Sequence, residues 1–156
     1  FYIWIRFEWQ FSLGAIAALV HDVIITVGIF SFLSYEVNLS IVAAVLTIVG
    51  YSMNDTVVIF DRIRENLRKY NKISITEISD ISTNQTLSRT LITSVTTLLA
   101  LFSIYFFGGT ILKGFSFAMI VGVIVGTYSS IFVATPILNY TKVSSKTILK
   151  KDNDIN

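Results

Sequence analysis

Asp55 stands inside an apolar run. The stretch from Ile41 to Phe60 is long enough to cross a bilayer, yet it carries Asn54 and Asp55 about one and a half helical turns before it ends. A second run, Leu87 to Phe107, carries Arg89 near its own start. A charge placed in hydrocarbon costs about 2.5–3.5 kcal/mol on insertion scales, so an ionisable group there is a functional candidate by default. At 1.5 Å per residue, Asp55 lies ~7.5 Å from the end of its run at Phe60, and Arg89 lies ~6 Å past Gln85. Opposite charges at similar depth on successive helices are placed to pair. Ion pairing would favour the charged form of Asp55 and burial the neutral form. A carboxyl held between those opposing terms is a candidate proton-binding site. Two plainer roles stay open: Arg89 snorkelling to headgroups, as long cationic side chains near helix ends do, and Asp55 as a structural cap or pair.

Other polar residues recur at helical spacing. Thr86, Arg89, Thr90, Thr93 and Thr97 form one stripe; Thr47, Tyr51, Asn54 and Asp55 form another; Asp22 and Thr26 lie one turn apart, with His21 adjacent. Polar stripes in membrane helices face neighbours or water rather than lipid, so these three helices are expected to converge on a shared polar interior. Asn54, His21, Asp22 and Thr93 are its supporting candidates. Asp22 has no obvious charged mate, and the structural reading of His21-Asp22 is favoured.

The elements that must position these groups follow from composition. The chain has 156 residues, 53% hydrophobic and 14% charged, with a mean hydropathy of +0.70. A hydrocarbon core of ~30 Å needs ~20 apolar residues in a helix, and the spans are expected at Leu13–Ser34, Leu39–Phe60, Gln85–Phe107 and Phe115–Asn139. Residues 1–5 are too short to span. They lack the layout of a signal peptide and read as the end of a preceding transmembrane helix. Every basic residue other than Arg89 and Lys113 falls at Arg6, between Arg62 and Lys72, or from Lys142 onward. The positive-inside rule places those loops, and the C-terminus, in the cytoplasm. Asn38 or Ser40 is placed to cap the second span, and Gly108-Gly109 to break the third. Tyr35, Tyr105, Phe106 and Phe107 suit an outer aromatic belt; Trp4, Trp9 and Tyr140 suit an inner one.

Residues 61–84 are the one sizeable soluble segment. Ile63 and Leu67 suggest that the second helix runs on past the membrane, and Ile73, Ile75, Ile78 and Ile81 suggest a separate amphipathic stretch lying on the membrane or on a partner. The tail, 140–156, is expected to be disordered and near anionic headgroups. In the fourth span Gly114, Ala118, Gly122, Gly126, Ser130 and Ala134 recur at every fourth residue. This ladder contains a GxxxG pattern, read first as packing within the chain and second as a dock for another membrane subunit. Pro136 is placed to bend that helix. The absence of cysteine excludes disulfides and thiolate sites, and a single His with scattered carboxylates makes no metal site. No nucleophilic triad, phosphate loop or nucleic-acid face is present, so no enzyme is expected. The cluster Arg62–Lys72 reads as a topology anchor.

The run Gly50-Tyr51-Ser52-Met53-Asn54-Asp55-Thr56-Val57-Val58-Ile59-Phe60-Asp61-Arg62-Ile63-Arg64-Glu65-Asn66 closely resembles the signature of the SecF family, the smaller membrane subunits of bacterial SecD–SecF protein-export complexes. Arg6-Phe7-Glu8-Trp9, the stretch from Ala18 to Thr26, the stretch from Gln85 to Ser94, Phe107-Gly108-Gly109 and Gly114-Phe115-Ser116 agree with it. The resemblance implies an all-α polytopic bundle of the resistance–nodulation–division transporter type. This chain would hold the end of the second of six helices and all of the last four, without the first helix and the extracytoplasmic domain. It implies a bacterial cytoplasmic (inner) membrane protein that uses the proton-motive force to assist preprotein export. Its implied partners are SecD, the SecYEG channel, YajC, the translocating preprotein and membrane lipid. No cofactor is implied beyond protons as the coupling ion. Asp55 and Arg89 match the family's proton-transfer charges, acting with an aspartate from SecD; His21 and Asp22 match a recurrent family stretch without a proton role carried over. The alternatives are a proton-driven small-molecule efflux transporter of the same superfamily and a non-transporting scaffold subunit.

Overall fold

The computed structural model describes residues 5, 8–70, 72–143, 146 and 148. The end of a preceding helix expected over 1–5 falls almost wholly outside them, as do Arg6 and most of the tail.

Helix α1 covers Trp9–Phe32 and starts four residues before the expected span. Ser34, at φ 55°, turns the chain toward α2, Leu39–Lys69. The Asn38 side chain caps α2 by accepting from the Ile41 N–H at 3.0 Å, which satisfies one of the donors a helix start leaves unpaired. Helix α3 covers Ile75–Phe107, with Ser74 accepting from the Glu77 N–H at 3.3 Å. A serine three residues before a glutamate is the pattern of a capping box, and it marks a start ten residues earlier than the expected span. Gly109, at φ +79°, makes the next turn in a conformation that only glycine adopts freely. Helix α4 follows over Gly109–Ser129. A π-helical turn, Ser130–Ala134, joins it to α5, Thr135–Tyr140. Pro136 lacks the N–H that would bond the Phe132 carbonyl. The wide turn lies directly before it, and Thr135 Oγ1 donates to the Ser130 carbonyl at 3.1 Å.

The segment 61–84 is not a separate surface element. By helix rise, α2 and α3 are ~46 and ~50 Å long, well beyond the ~30 Å that a bilayer core needs. Their excess lengths fold back on each other across residues 70–74. Ile63, Leu67 and Ile78 are fully buried in that hairpin, because apolar spacing on both strands of the hairpin gives each helix the other to cover it. Two described residues of the tail, Val143 and Ile148, are buried in the same cluster.

Two apolar clusters stack along the bundle. One, at the end where α2 turns into α3, joins Phe11, Phe60, Ile63, Leu67, Ile78 and Leu138; the other, at the end where α1 turns into α2, joins Phe30, Ile41, Ile48, Leu101, Met119 and Val123. The small-residue ladder of α4 lies on α2 in parallel register. Ideal Cβ atoms on Gly122 and Gly126 would meet Ile48 at 2.2 Å and Ser52 at 3.2 Å, and Ser130 Oγ meets Thr56 Oγ1 at 3.0 Å one turn further on. Gly122 and Gly126 therefore pack within the chain. At the end where α1 turns into α2, Tyr35 stacks on Phe117 at 5.6 Å, and Lys113 Nζ lies 5.7 Å from the Tyr105 ring.

Candidate functional site

A polar layer separates the two apolar clusters, and small hydroxyls build most of it. Ser52 Oγ donates to Asp22 Oδ2 at 2.5 Å, while His21 Nδ1 lies 3.1 Å from Asp22 Oδ1. Asp22 is completely buried, so it has the mates that the sequence did not reveal. Tyr51 donates to Ser94 Oγ at 3.5 Å, and Ser94 pairs with Thr127 Oγ1 at 2.7 Å, which ties α2, α3 and α4 together. Ser52, Thr56, Ser94 and Thr127 were not among the polar stripes read from the sequence, and Ser130 was read only as a rung of the small-residue ladder. The available signal was Ser52 and Thr56 one turn apart, at the same four-residue spacing as Gly126 and Ser130 in the ladder.

The stripes read from the sequence split in two. Asp22, Thr26, Asp55, Thr86 and Thr90 are buried, whereas Thr47, Asn54 and Arg89 are exposed on the bundle's flank. Asn54 is therefore not part of the interior. Thr93 is half-buried and spends its hydroxyl on the carbonyls of Arg89 and Thr90, both at 3.0 Å. Adjacent positions on a helix differ by about 100° in direction, which is why Asn54 and Asp55 part company.

Asp55 is 5% exposed, and its Oδ2 is sealed from solvent with no hydrogen-bond partner. Arg89 is near enough to act on it electrostatically, but no direct ion pair joins them among the described residues. The expected direct pairing is corrected on that point. Arg89 instead lines an open cleft between α2 and α3, with Val58, Asp61, Arg62, Glu65, Gln85 and Thr86. Val58 and Arg62 lie three and seven residues after Asp55, on the same side of α2. The cleft therefore opens above Asp55, toward the end of the bundle where α2 turns into α3.

That end is braced. Asn66 Nδ2 donates to Ser82 Oγ at 2.8 Å and to Gln85 Oε1 at 3.0 Å. Arg62 Nε reaches the same Gln85 oxygen at 2.7 Å, and Arg62 also pairs with Glu65 at 2.7 Å. Arg64 Nη2 bonds Glu8 Oε1 at 3.3 Å, fastening the start of α1 to the extension of α2. No group of three potential metal ligands occurs among the described residues.

Comparison with known proteins adds a second line of observation. Residues 1–144 match the family model described as protein export membrane protein SecD/SecF, C-terminal. The chain is 53% identical over 142 residues to a protein translocase subunit SecF of Cereibacter sphaeroides, covering 91% of this chain and 44% of that protein. It is 59% identical over 137 residues to the same subunit of Rickettsia rickettsii, covering 88% and 44%. The chain thus spans under half the length of these relatives. Among solved structures it superposes on SecDF in its super-membrane-facing form with a TM-score of 0.87 at 42% identity, covering 98% of this chain and 21% of that one. SecDF from a Thermus species, described as a translocon-associated membrane protein, gives 0.87 at 46% identity over 90% of this chain and 20% of its own.

Proposed function

The chain belongs to the SecD/SecF protein-export membrane protein family, and on that premise we propose that it is the proton-coupling membrane portion of a SecF subunit. Among the described residues four helices are long and apolar enough to cross a membrane, and the family and the fold make this a multi-pass membrane protein of the resistance–nodulation–division type. In the proposed setting it sits in the bacterial inner membrane with its C-terminus in the cytoplasm. It works beside SecD on preproteins leaving the SecYEG channel, with YajC as a further partner and protons as the coupling ion.

One observation carries the reading: a buried carboxyl oxygen without a partner, next to an arginine that lines a polar cleft. One proton crossing a 100 mV potential releases ~2.3 kcal/mol. Proton uptake at Asp55 changes the charge of the bundle's interior by one unit and removes the attraction of Arg89. The α2–α3 hairpin is braced at its turn by Asn66, Ser82, Gln85 and Arg62. A change in that attraction therefore tilts the two helices about the braced end. Such an element, biased between two arrangements, is what coupling requires. Asp55→Asn keeps the side chain's shape and removes its titration. In the full-length protein it is expected to insert normally and to abolish proton-driven stimulation of preprotein export. Wild-type stimulation by this variant at normal protein levels, together with a harmless Arg89→Gln, would leave only the scaffold role.

A further inference from the structure

Asp22 is a second ionisable group inside the bundle, and the role proposed for Asp55 makes no use of it. It lies 13 residues after Trp9 and 10 before Phe32 in α1, or ~20 and ~15 Å from the two helix ends at 1.5 Å per residue. It is completely buried. An ionisable group at that depth is a functional candidate by default.

Its two carboxyl oxygens have different neighbours. Oδ2 accepts from Ser52 Oγ at 2.5 Å, and Ser52 is itself 1% exposed, so this side leads only into the bundle. Oδ1 lies 3.1 Å from His21 Nδ1. The His21 side chain is 30% exposed, against 1% for that of Asp22. Its second ring nitrogen, Nε2, bonds to none of the described residues and is not among the sealed polar atoms. Of the two groups bonded to Asp22, only the imidazole therefore reaches the flank of α1. Ala17 and Gly28 lie one turn before and two turns after it on that flank, and a Cβ on Gly28 would meet nothing within 4 Å. Small neighbours leave room beside the ring.

Charge around the pair is sparse. Helix α1 packs against α2, α4, the π-turn and α5. From α2 come Asp55, three residues after Ser52, and Tyr51, whose hydroxyl is turned to Ser94 of α3. From Gly114 to Thr141 there is no charged residue, only Tyr128 and Tyr140, both exposed. The imidazole is thus the one base in contact with Asp22. Either protonation state of the carboxyl is satisfied there. The carboxylate accepts from Ser52 Oγ–H and from Nδ1–H; the acid donates from Oδ1 to a bare Nδ1.

We infer that His21 and Asp22 form a second proton-binding site, loaded from the flank of α1. A proton bonds to Nε2, the Nδ1–H bond breaks, and its proton passes to Oδ1. The products are the carboxylic acid and a neutral imidazole in the other tautomer. Unloading runs the same steps in reverse. The site stands one turn of α2 away from Asp55, so the bundle holds two proton positions at different depths.

The test is a pH-jump infrared measurement on the full-length protein in its native complex, reconstituted in lipid and carrying Asp55→Asn so that Asp55 is silent. A carboxylic-acid C=O signal is expected as the pH falls, and it should vanish when Asp22→Asn is added. His21→Gln keeps a polar side chain on the flank and leaves Asp22 its Ser52 donor. It is expected to slow the rise of that signal about 10²-fold, the lower end of what a positioned acid–base group contributes, and free imidazole in the buffer should restore the rate. A merely structural contact predicts neither the slowing nor the rescue. No difference in signal on adding Asp22→Asn, an unchanged rate in His21→Gln, or a slowed rate that imidazole does not restore would each overturn the assignment. Every arm is read with Asp55 already replaced, so the outcome is separate from the role of Asp55 in export.

Discussion

Gly122 lets α4 sit directly against Ile48 of α2, and replacing it tests the packing that holds the polar layer in register. A Cβ at this position would lie 2.2 Å from both Cδ1 and Cγ1 of Ile48 and 2.8 Å from its Cγ2. Ile48 is 1% exposed, and a β-branched side chain on a helix has one strongly preferred rotamer, so it has nowhere to turn. Overpacking of this kind costs roughly 1–3 kcal/mol, and three atoms in conflict place Gly122→Ala in the upper part of that range. Alanine returns about 1 kcal/mol through its better helix propensity, so the net loss should be about 1–2 kcal/mol. Gly28→Ala is the control, because a Cβ there meets nothing within 4 Å and only the propensity gain remains. The two variants should differ by roughly 2–3 kcal/mol in reversible denaturation of the full-length protein in detergent. Ile48→Ala removes the three conflicting atoms, so adding it to Gly122→Ala should cost less than the sum of the single changes, with an interaction of about 1–3 kcal/mol. Equal stabilities for Gly122→Ala and Gly28→Ala, or strict additivity with Ile48→Ala, would refute the contact.

Ser52→Ala leaves the completely buried Asp22 without its Oδ2 donor; a loss of about 1–3 kcal/mol is expected in the same denaturation assay, and no loss would show that the hydrogen bond is not made. Asn66→Leu removes the donor shared by Ser82 and Gln85. Its cost should be similar, and amide exchange should speed up across residues 61–84; unchanged protection would mean that the hairpin is held by apolar packing alone.

Much of this protein was legible from residue order. Apolar runs of bilayer length leave a chain no option but helices, since a backbone in hydrocarbon must satisfy itself. The positions of Asp55, Arg89 and Asp22 in those runs marked the polar layer, and the signature from Gly50 to Asn66 marked the family. The cap at Asn38 and the break at Gly109 are local events, written in a few neighbouring residues, whereas the cap at Ser74 marks a start ten residues before the one expected for its helix. Other features came from contacts between residues far apart in the chain. Arg89 lines a cleft rather than pairing directly with Asp55 because a long side chain on a flank takes the wetter of two directions. Ser52 reached Asp22 across 30 positions, and Ile78 found Ile63 and Leu67 instead of a membrane surface. Periodicity shows which face of a helix is distinctive, but a helix face has no partner until the other helices are placed around it. That is why the chemistry could be located from the sequence, while its partners could be identified only in the folded bundle.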